Sequence, residues 1–263
     1  MLRGRDLESE GLRLSAPDVL QIGERARRAL ARGGGLARPL PGFAHAPYLE
    51  AGGEVIWVGA RLPARHPRAV LTTAAPPRGV ALRFASLPES GWSPRLPALG
   101  SAEAAGKLLR DIRPPFPRGL PAHRVQALAA AYLCDDPHDV FEATLPLLGV
   151  GGGFTPSGDD LAGAALFGRR ALCPDAARWR EVAEGLSREA GARSHAVSAA
   201  LFADLARGES FEPLHALVEA LACGARERTA SAARALAAIG HSSGRDMLAG
   251  LAIGMGIALS DAT

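Results

Sequence analysis

Cysteine is scarce in this chain: Cys134, Cys173 and Cys223 are odd in number, far apart and without metal-type pair spacing. That pattern offers neither a disulfide framework nor a zinc site, and it fits a reducing, cytoplasmic compartment. Long apolar runs are lacking as well. The longest, Met247 to Leu259, is too short to span a bilayer and reads as a buried helix. The opening MLRGRDLESEGLRL carries charges throughout and has no apolar stretch of the secretory kind, so no signal segment is expected.

Aromatics make up only 5% of the chain, and the arginines are scattered rather than gathered into a basic stripe interleaved with aromatics. A net charge of +3 therefore favours anionic partners weakly and gives no nucleic-acid footprint. Two common chemical signatures are missing too. No Gly-Lys-Ser/Thr follows the glycines at Gly149 to Gly153, and Phe154 spoils a GxGxxG reading. ATP and NAD chemistry are not supported.

What is present is an apolar content of 48% in 263 residues, enough for one large core or two modest ones. Ser15-Ala-Pro-Asp18 reads as a helix start, with Val19, Ile22, Ala26 and Leu30 on one face and Gly33 to Gly35 ending it. Three segments rich in β-formers follow, Glu54 to Gly59, Arg68 to Thr73 and Val80 to Ser86, and suggest a small antiparallel sheet. Ala102 to Ile112 is helical in character, after which Arg113 to Pro121 interrupts with prolines. The expected fold is α+β: a helix plus β-rich domain over 1–113 and a mainly α-helical domain over 121–263. Helical spacing in the second half falls at about 122–134, 138–148, 158–172, 175–190, 195–207, 212–222, 226–239 and 244–259.

Within that half, Ser157-Gly-Asp-Asp160 echoes Ser243-Gly-Arg-Asp246. Each reads as a capping box, with the Ser oxygen accepting from a helical amide and the carboxylate bonding back. Gly250, Gly254 and Ala258 recur at every fourth position, a stripe that admits a close helix neighbour. If the two helices pack together, both starts meet at one site.

Gly149, Gly151, Gly152 and Gly153 leave the backbone uncovered ahead of Pro156 and a helix start at Ser157, an arrangement suited to phosphate or carboxylate. Thr155 and Ser157 add hydroxyl donors. With Asp160 assigned to the capping box, Asp159 is free to meet a substrate amino group or a divalent ion bridging to phosphate. The competing reading makes the glycines a tight helix connection and both Ser-x-x-Asp units mere caps. Cys134-Asp-Asp-Pro-His138-Asp139 collects possible metal ligands but has the form of a helix start, and no metal site is assigned. His241 and Arg245 flank the second Ser-Gly turn and reach the same ligand if the starts meet. Arg193, Ser194 and His195 form either a third helix start near the site or a cap.

The run GVGGGFTPSGDDLAGAAL, Gly149 to Leu166, resembles the signature of the AllH-type oxamate carbamoyltransferase subunits. Ser198 with Leu201 and Gly208, and GHSSGRDMLAGLAIG from Gly240 to Gly254, resemble two further segments of that family. The resemblance covers Leu145 to the C-terminus, with Phe154 where the family usually has Leu. It implies one subunit of a multi-subunit enzyme of allantoin breakdown that converts oxalurate and phosphate to oxamate and carbamoyl phosphate, beside an acyl-CoA-synthetase-like partner. On that reading the amides of Gly151, Gly152 and Gly153, with Thr155, Ser157, Gly158, Asp160, Ser243 and Gly244, bind a small anionic substrate such as carbamoyl phosphate. Asp159 and Asp246 orient the carbamoyl nitrogen or a bound Mg2+, and His241 moves a proton. With no strong nucleophile in view, direct transfer is expected. The alternative is a non-catalytic anion-binding or assembly subunit of such a complex.

Overall fold

A computed structural model of the chain describes residues 13–43, 46–257 and 259. The chain divides into two compact units between Ser93 and Pro94. That division falls upstream of the 113–121 segment at which the sequence suggests a boundary. The helix α2 of the second unit, Ala102–Ile112, packs on helices α8, Glu212–Ala222, and α9, Arg226–Ala237.

The first unit is a curled, mixed sheet of seven short strands with one helix. The strands are β1 Arg13–Ser15, β2 Val19–Ile22, β3 Leu36–Pro39, β4 Tyr48–Ala51, β5 Glu54–Gly59, β6 Ala69–Thr72 and β7 Ala81–Arg83. Their order across the sheet is β1-β7-β3-β4-β5-β6-β2, with β1–β7 and β5–β6 parallel and the other pairs antiparallel. The sheet is thus larger than the three expected strands, and mixed rather than antiparallel.

The only helix described in this unit, α1, spans Glu24–Arg32, so the helix expected from Asp18 begins later. Val19 to Ile22 pair antiparallel with β6 instead, which leaves Leu20 exposed on an edge strand. Gly23 sets the junction, because a Cβ there would lie 2.3 Å from the His66 carbonyl oxygen. Ala26, Ala29 and Leu30 fall on one helical face and meet Ile56, Val58, Val70 and Leu82 in the core. Glu24 accepts from Arg27, Arg28 and the Gly91 amide, and the Arg27 guanidinium first among these holds its carboxyl down at about 2.

The second unit is helical. After α2 come α3 Ala122–Cys134, α4 Pro137–Thr144 with a 3-10 turn at Leu145–Leu147, α5 Ser157–Leu172, α6 Ala177–Arg193 and α7 Ala196–Arg207. Then follow α8, α9 and α10, Ser243–Gly254. Every helix expected in this half is present within a few residues. The expected end of the last at 259 shortens to Gly254, and Ala258 lies outside the described residues. Helix α5 is the axis of the unit: fourteen of its sixteen residues are buried, which fits a sequence that is apolar or small on every side from Leu161 to Gly168.

α5 packs most extensively on α10, and glycine is the reason. A Cβ on Gly250 would lie 2.1 Å from Leu161 O, and one on Gly254 would lie 1.9 Å from Ala165 O. The small-residue stripe read in the sequence is a backbone-to-backbone seam. Because Leu161 and Ala165 succeed one another along α5 as Gly250 and Gly254 do along α10, the helices run parallel. Their positive ends lie together. Among the described residues no helix is long and apolar enough to cross a membrane.

Candidate functional site

The site is built where those parallel helices start. Thr155 Oγ1 lies 2.8 Å from Ser243 Oγ, and Ser157 Oγ lies 3.4 Å from Ser242 Oγ. The two Ser-Gly-x-Asp units thus face each other, as their echo in the sequence suggested.

Neither is a capping box. Pro156 and Ser242 are the N-cap residues, and no side chain caps either helix. With Ser157 and Ser243 already one position inside, the carboxyls three residues on each meet one hydroxyl across the seam and one on their own side. Asp160 of α5 meets the hydroxyls of Ser243 and Thr155, while Asp246 of α10 meets those of Ser157 and Ser242. The arrangement is reciprocal, each helix start supplying a hydroxyl to the other's carboxyl.

Asp159, Asp160 and Asp246 are 1%, 5% and 2% exposed, yet their situations differ. Asp159 is saturated. Its Oδ1 accepts the Gly149 amide at 2.8 Å, and its Oδ2 accepts Ser194 Oγ and Ser198 Oγ, each at 2.6 Å. The residue expected to be free for substrate is therefore a clamp joining the Gly-rich turn to the start of α7. By contrast, Oδ2 of Asp160 and Oδ2 of Asp246 are buried without a hydrogen-bond partner. Burial raises the Asp160 carboxyl well above the ordinary range, and the neighbouring Asp246 and Asp159 charges add to the effect. Burial likewise raises Asp246. Both favour the neutral acid or a ligand that donates to them.

The Gly-rich turn takes positive φ at Gly149, Gly151 and Gly153. Gly149 is held against α6, since a Cβ would lie 2.5 Å from the Arg193 carbonyl oxygen, whereas Gly152 and Gly153 have open space around them. The amides of Gly151, Gly152 and Gly153 donate to no acceptor among the described residues. Phe154 beside them is half exposed. These three glycines are exposed, with their amides unengaged.

Gly158 and Gly244 are not. Their amides donate to Val150 O and Ile239 O, and a Cβ at either would lie within 1.9 Å of the Leu147 or Leu236 carbonyl oxygen. They are glycine so that each helix start can sink against the preceding segment. His241 is exposed just ahead of α10, and its carbonyl accepts from Arg245 at 2.6 Å. Ser194 brings a third helix start to the site through Asp159, the first of the two readings of Arg193 to His195. Ser198 was visible in the sequence only through family resemblance. Its hydroxyl lies one turn into α7, and nothing local marks its partner.

The acidic group around His138 is structural. Asp136 caps α4 by accepting from the His138 and Asp139 amides, and Asp135 pairs with Arg169 at 2.8 Å and with Arg178. Among the described residues no three His, Cys, Asp or Glu side chains gather to hold a metal ion. A Mg2+ at this site would have to be held largely through substrate oxygens.

This is a helical domain whose centre is a seam of two parallel helix starts, with buried carboxyls beside a glycine-rich turn. Residues 147–255, from the end of the 3-10 turn through α10, match the family model described as oxamate carbamoyltransferase subunit AllH. The match takes in every site residue named above and leaves the sheet unit outside it. Searches of curated proteins and of solved structures returned no match to the chain.

Proposed function

We propose that this chain is a subunit of an oxamate carbamoyltransferase-like enzyme, with substrate held where α5 and α10 start. The observation that carries the reading is the pair of partnerless buried oxygens, Asp160 Oδ2 and Asp246 Oδ2, beside the unpaired amides of Gly151 to Gly153. A carbamoyl-bearing substrate has N–H groups for the first and an anionic end for the second. The family description supports the same class of reaction.

In the direction of breakdown, a phosphate oxygen attacks the carbamoyl carbon of oxalurate and the bond from that carbon to the oxamate nitrogen breaks. A proton is delivered to the departing nitrogen, giving oxamate and carbamoyl phosphate. The amides of Gly151 to Gly153 hold the anion and the oxyanion that develops, acting as preorganised donors, while the Thr155 and Ser157 hydroxyls serve the two carboxyls. The raised carboxyls of Asp160 and Asp246 are suited to holding the transferred proton and orienting the carbamoyl N–H groups. Asp159 positions the turn. His241 lies at the rim, placed to exchange that proton with solvent. Direct transfer between positioned substrates needs no protein nucleophile.

In this reading other subunits open or complete the site over the buried Asp160 and Asp246, and the complex serves allantoin breakdown in the cytoplasm. The second reading, a non-catalytic anion-binding or assembly subunit, rests on that same burial.

The test is to purify the tagged chain with its associated subunits and assay phosphate-dependent conversion of oxalurate to oxamate. Asp246→Asn should lower turnover by about a hundredfold or more while the complex stays assembled. Unchanged turnover in that variant would overturn the assignment.

A further inference from the structure

Near the other end of α5 a groove of about 500 Å3 is lined by Arg170, Arg180, Arg188 and Arg207 with Glu184 and Glu209. Its size lies in the range of small-molecule sites. Arg170 stands thirteen residues along α5 from Ser157, about 20 Å at the helical rise, so no small substrate reaches both places.

Ordinary helix electrostatics account for part of this cluster. Arg207, in the last turn of α7, pairs with the fully buried Asp204, and one Arg170 nitrogen donates to the Ala206 carbonyl at the same helix end. They do not account for the rest. Arg180 sits in the first turn of α6, at the positive end of its dipole, where a cation is disfavoured. Arg188 lies two turns further along the same face. Neither makes an ion pair or hydrogen bond among the described residues. Arg170 Nε is buried with no partner. Burial lowers the Arg170 pKa and the Arg180 charge adds to that, with Glu184 opposing them. Guanidiniums crowded in this way, with Arg180 and Arg188 exposed along the groove's lining, are complementary to an oxyanion that takes them bidentately.

We propose that this groove is a second ligand site, binding a compact polyvalent oxyanion carried by a phosphate-bearing or polycarboxylate small molecule. Arg180 and Arg188 supply its outer contacts and Arg170 its base.

Calorimetric titration of the full chain at physiological ionic strength tests this, with inorganic pyrophosphate and citrate as probes. One of the two should bind in the micromolar to millimolar range, and the probe preferred decides between phosphate and carboxylate chemistry. The double variant Arg180→Glu, Arg188→Glu alters only exposed positions and should weaken that binding at least roughly tenfold. Asp160→Asn, in the other site, should leave it unchanged. Binding by neither probe, equal binding by the double variant, or loss of binding in Asp160→Asn would each overturn the proposal.

Discussion

The Ser198 hydroxyl, one turn inside α7, donates to Asp159 Oδ2 at 2.6 Å, across thirty-nine residues of sequence. With Ser194 on the same oxygen and the Gly149 amide on Oδ1, this bond fastens the Gly-rich turn to α7 and leaves Asp159 with structural work. Asp160 and Asp246 are left as the carboxyls with capacity for a ligand.

Asp159→Ala is therefore expected to be chiefly a stability variant. It strands three donors against a buried site, and each such loss costs about 1–3 kcal/mol, so urea denaturation should report a deficit of about 3 kcal/mol or more. Asn at this position, which keeps one acceptor, should recover a large part of it. A stable Asp159→Ala protein that had lost only ligand binding would restore the catalytic role.

The α5–α10 seam makes a second expectation. Gly250→Ala or Gly254→Ala puts a Cβ within 2.1 Å of a carbonyl oxygen on α5, and overpacking of this kind typically costs about 1–3 kcal/mol or more. Gly152→Ala, with open space around it, should change stability by less than about 0.5 kcal/mol. Comparing the three midpoints in one denaturant series checks both halves.

Asp160 gives a pH signature with a definite sign. Its carboxyl is raised above 3.8 on folding, so the folded state holds its proton more tightly. That contribution is fully present below the unfolded value and is lost as pH rises from there through the folded value. Asp160→Asn should consequently gain in stability relative to the wild type as pH increases. A difference independent of pH would show that the carboxyl is not perturbed.

His215 contributes in the opposite sense. Its Nδ1 lies 3.0 Å from Arg95 O, its Nε2 accepts the Ser210 amide at 3.1 Å, and burial lowers its pKa to about 4. The neutral ring is favoured in the fold. Stability on the order of 3 kcal/mol is present at neutral pH and lost as pH falls from about 6.5 towards about 4. His215→Phe should flatten that limb of the stability profile.

Much of the helical unit was legible because helical spacing and glycine placement are local signals. Gly250 and Gly254 disclosed the seam, and the repeated Ser-Gly-x-Asp disclosed that two helix starts share one place. The division of labour among the three aspartates was not legible. Ser194 and Ser198 meet Asp159 only through tertiary packing, and a Ser-x-x-Asp spacing reads equally well as a cap or as one half of a reciprocal bridge. In the sheet, β1, β3 and β4 span only three or four residues each, too short for alternation to register. Val19 and Ile22, at a helical interval from Ala26, mimicked a longer helix where the pairing with β6 makes a strand.

The most direct test of the central claim is thermal unfolding of the full chain with oxamate, oxalurate, carbamoyl phosphate and phosphate, for the wild type, Asp160→Asn and Asp246→Asn. At a hundred times Kd a bound ligand adds about 2.7 kcal/mol, or roughly 5–10 °C for a chain of this size. A carbamoyl-bearing or oxamate ligand should give such a shift in the wild type and lose it in both variants. No shift in the wild type, or an equal shift in the variants, would contradict it.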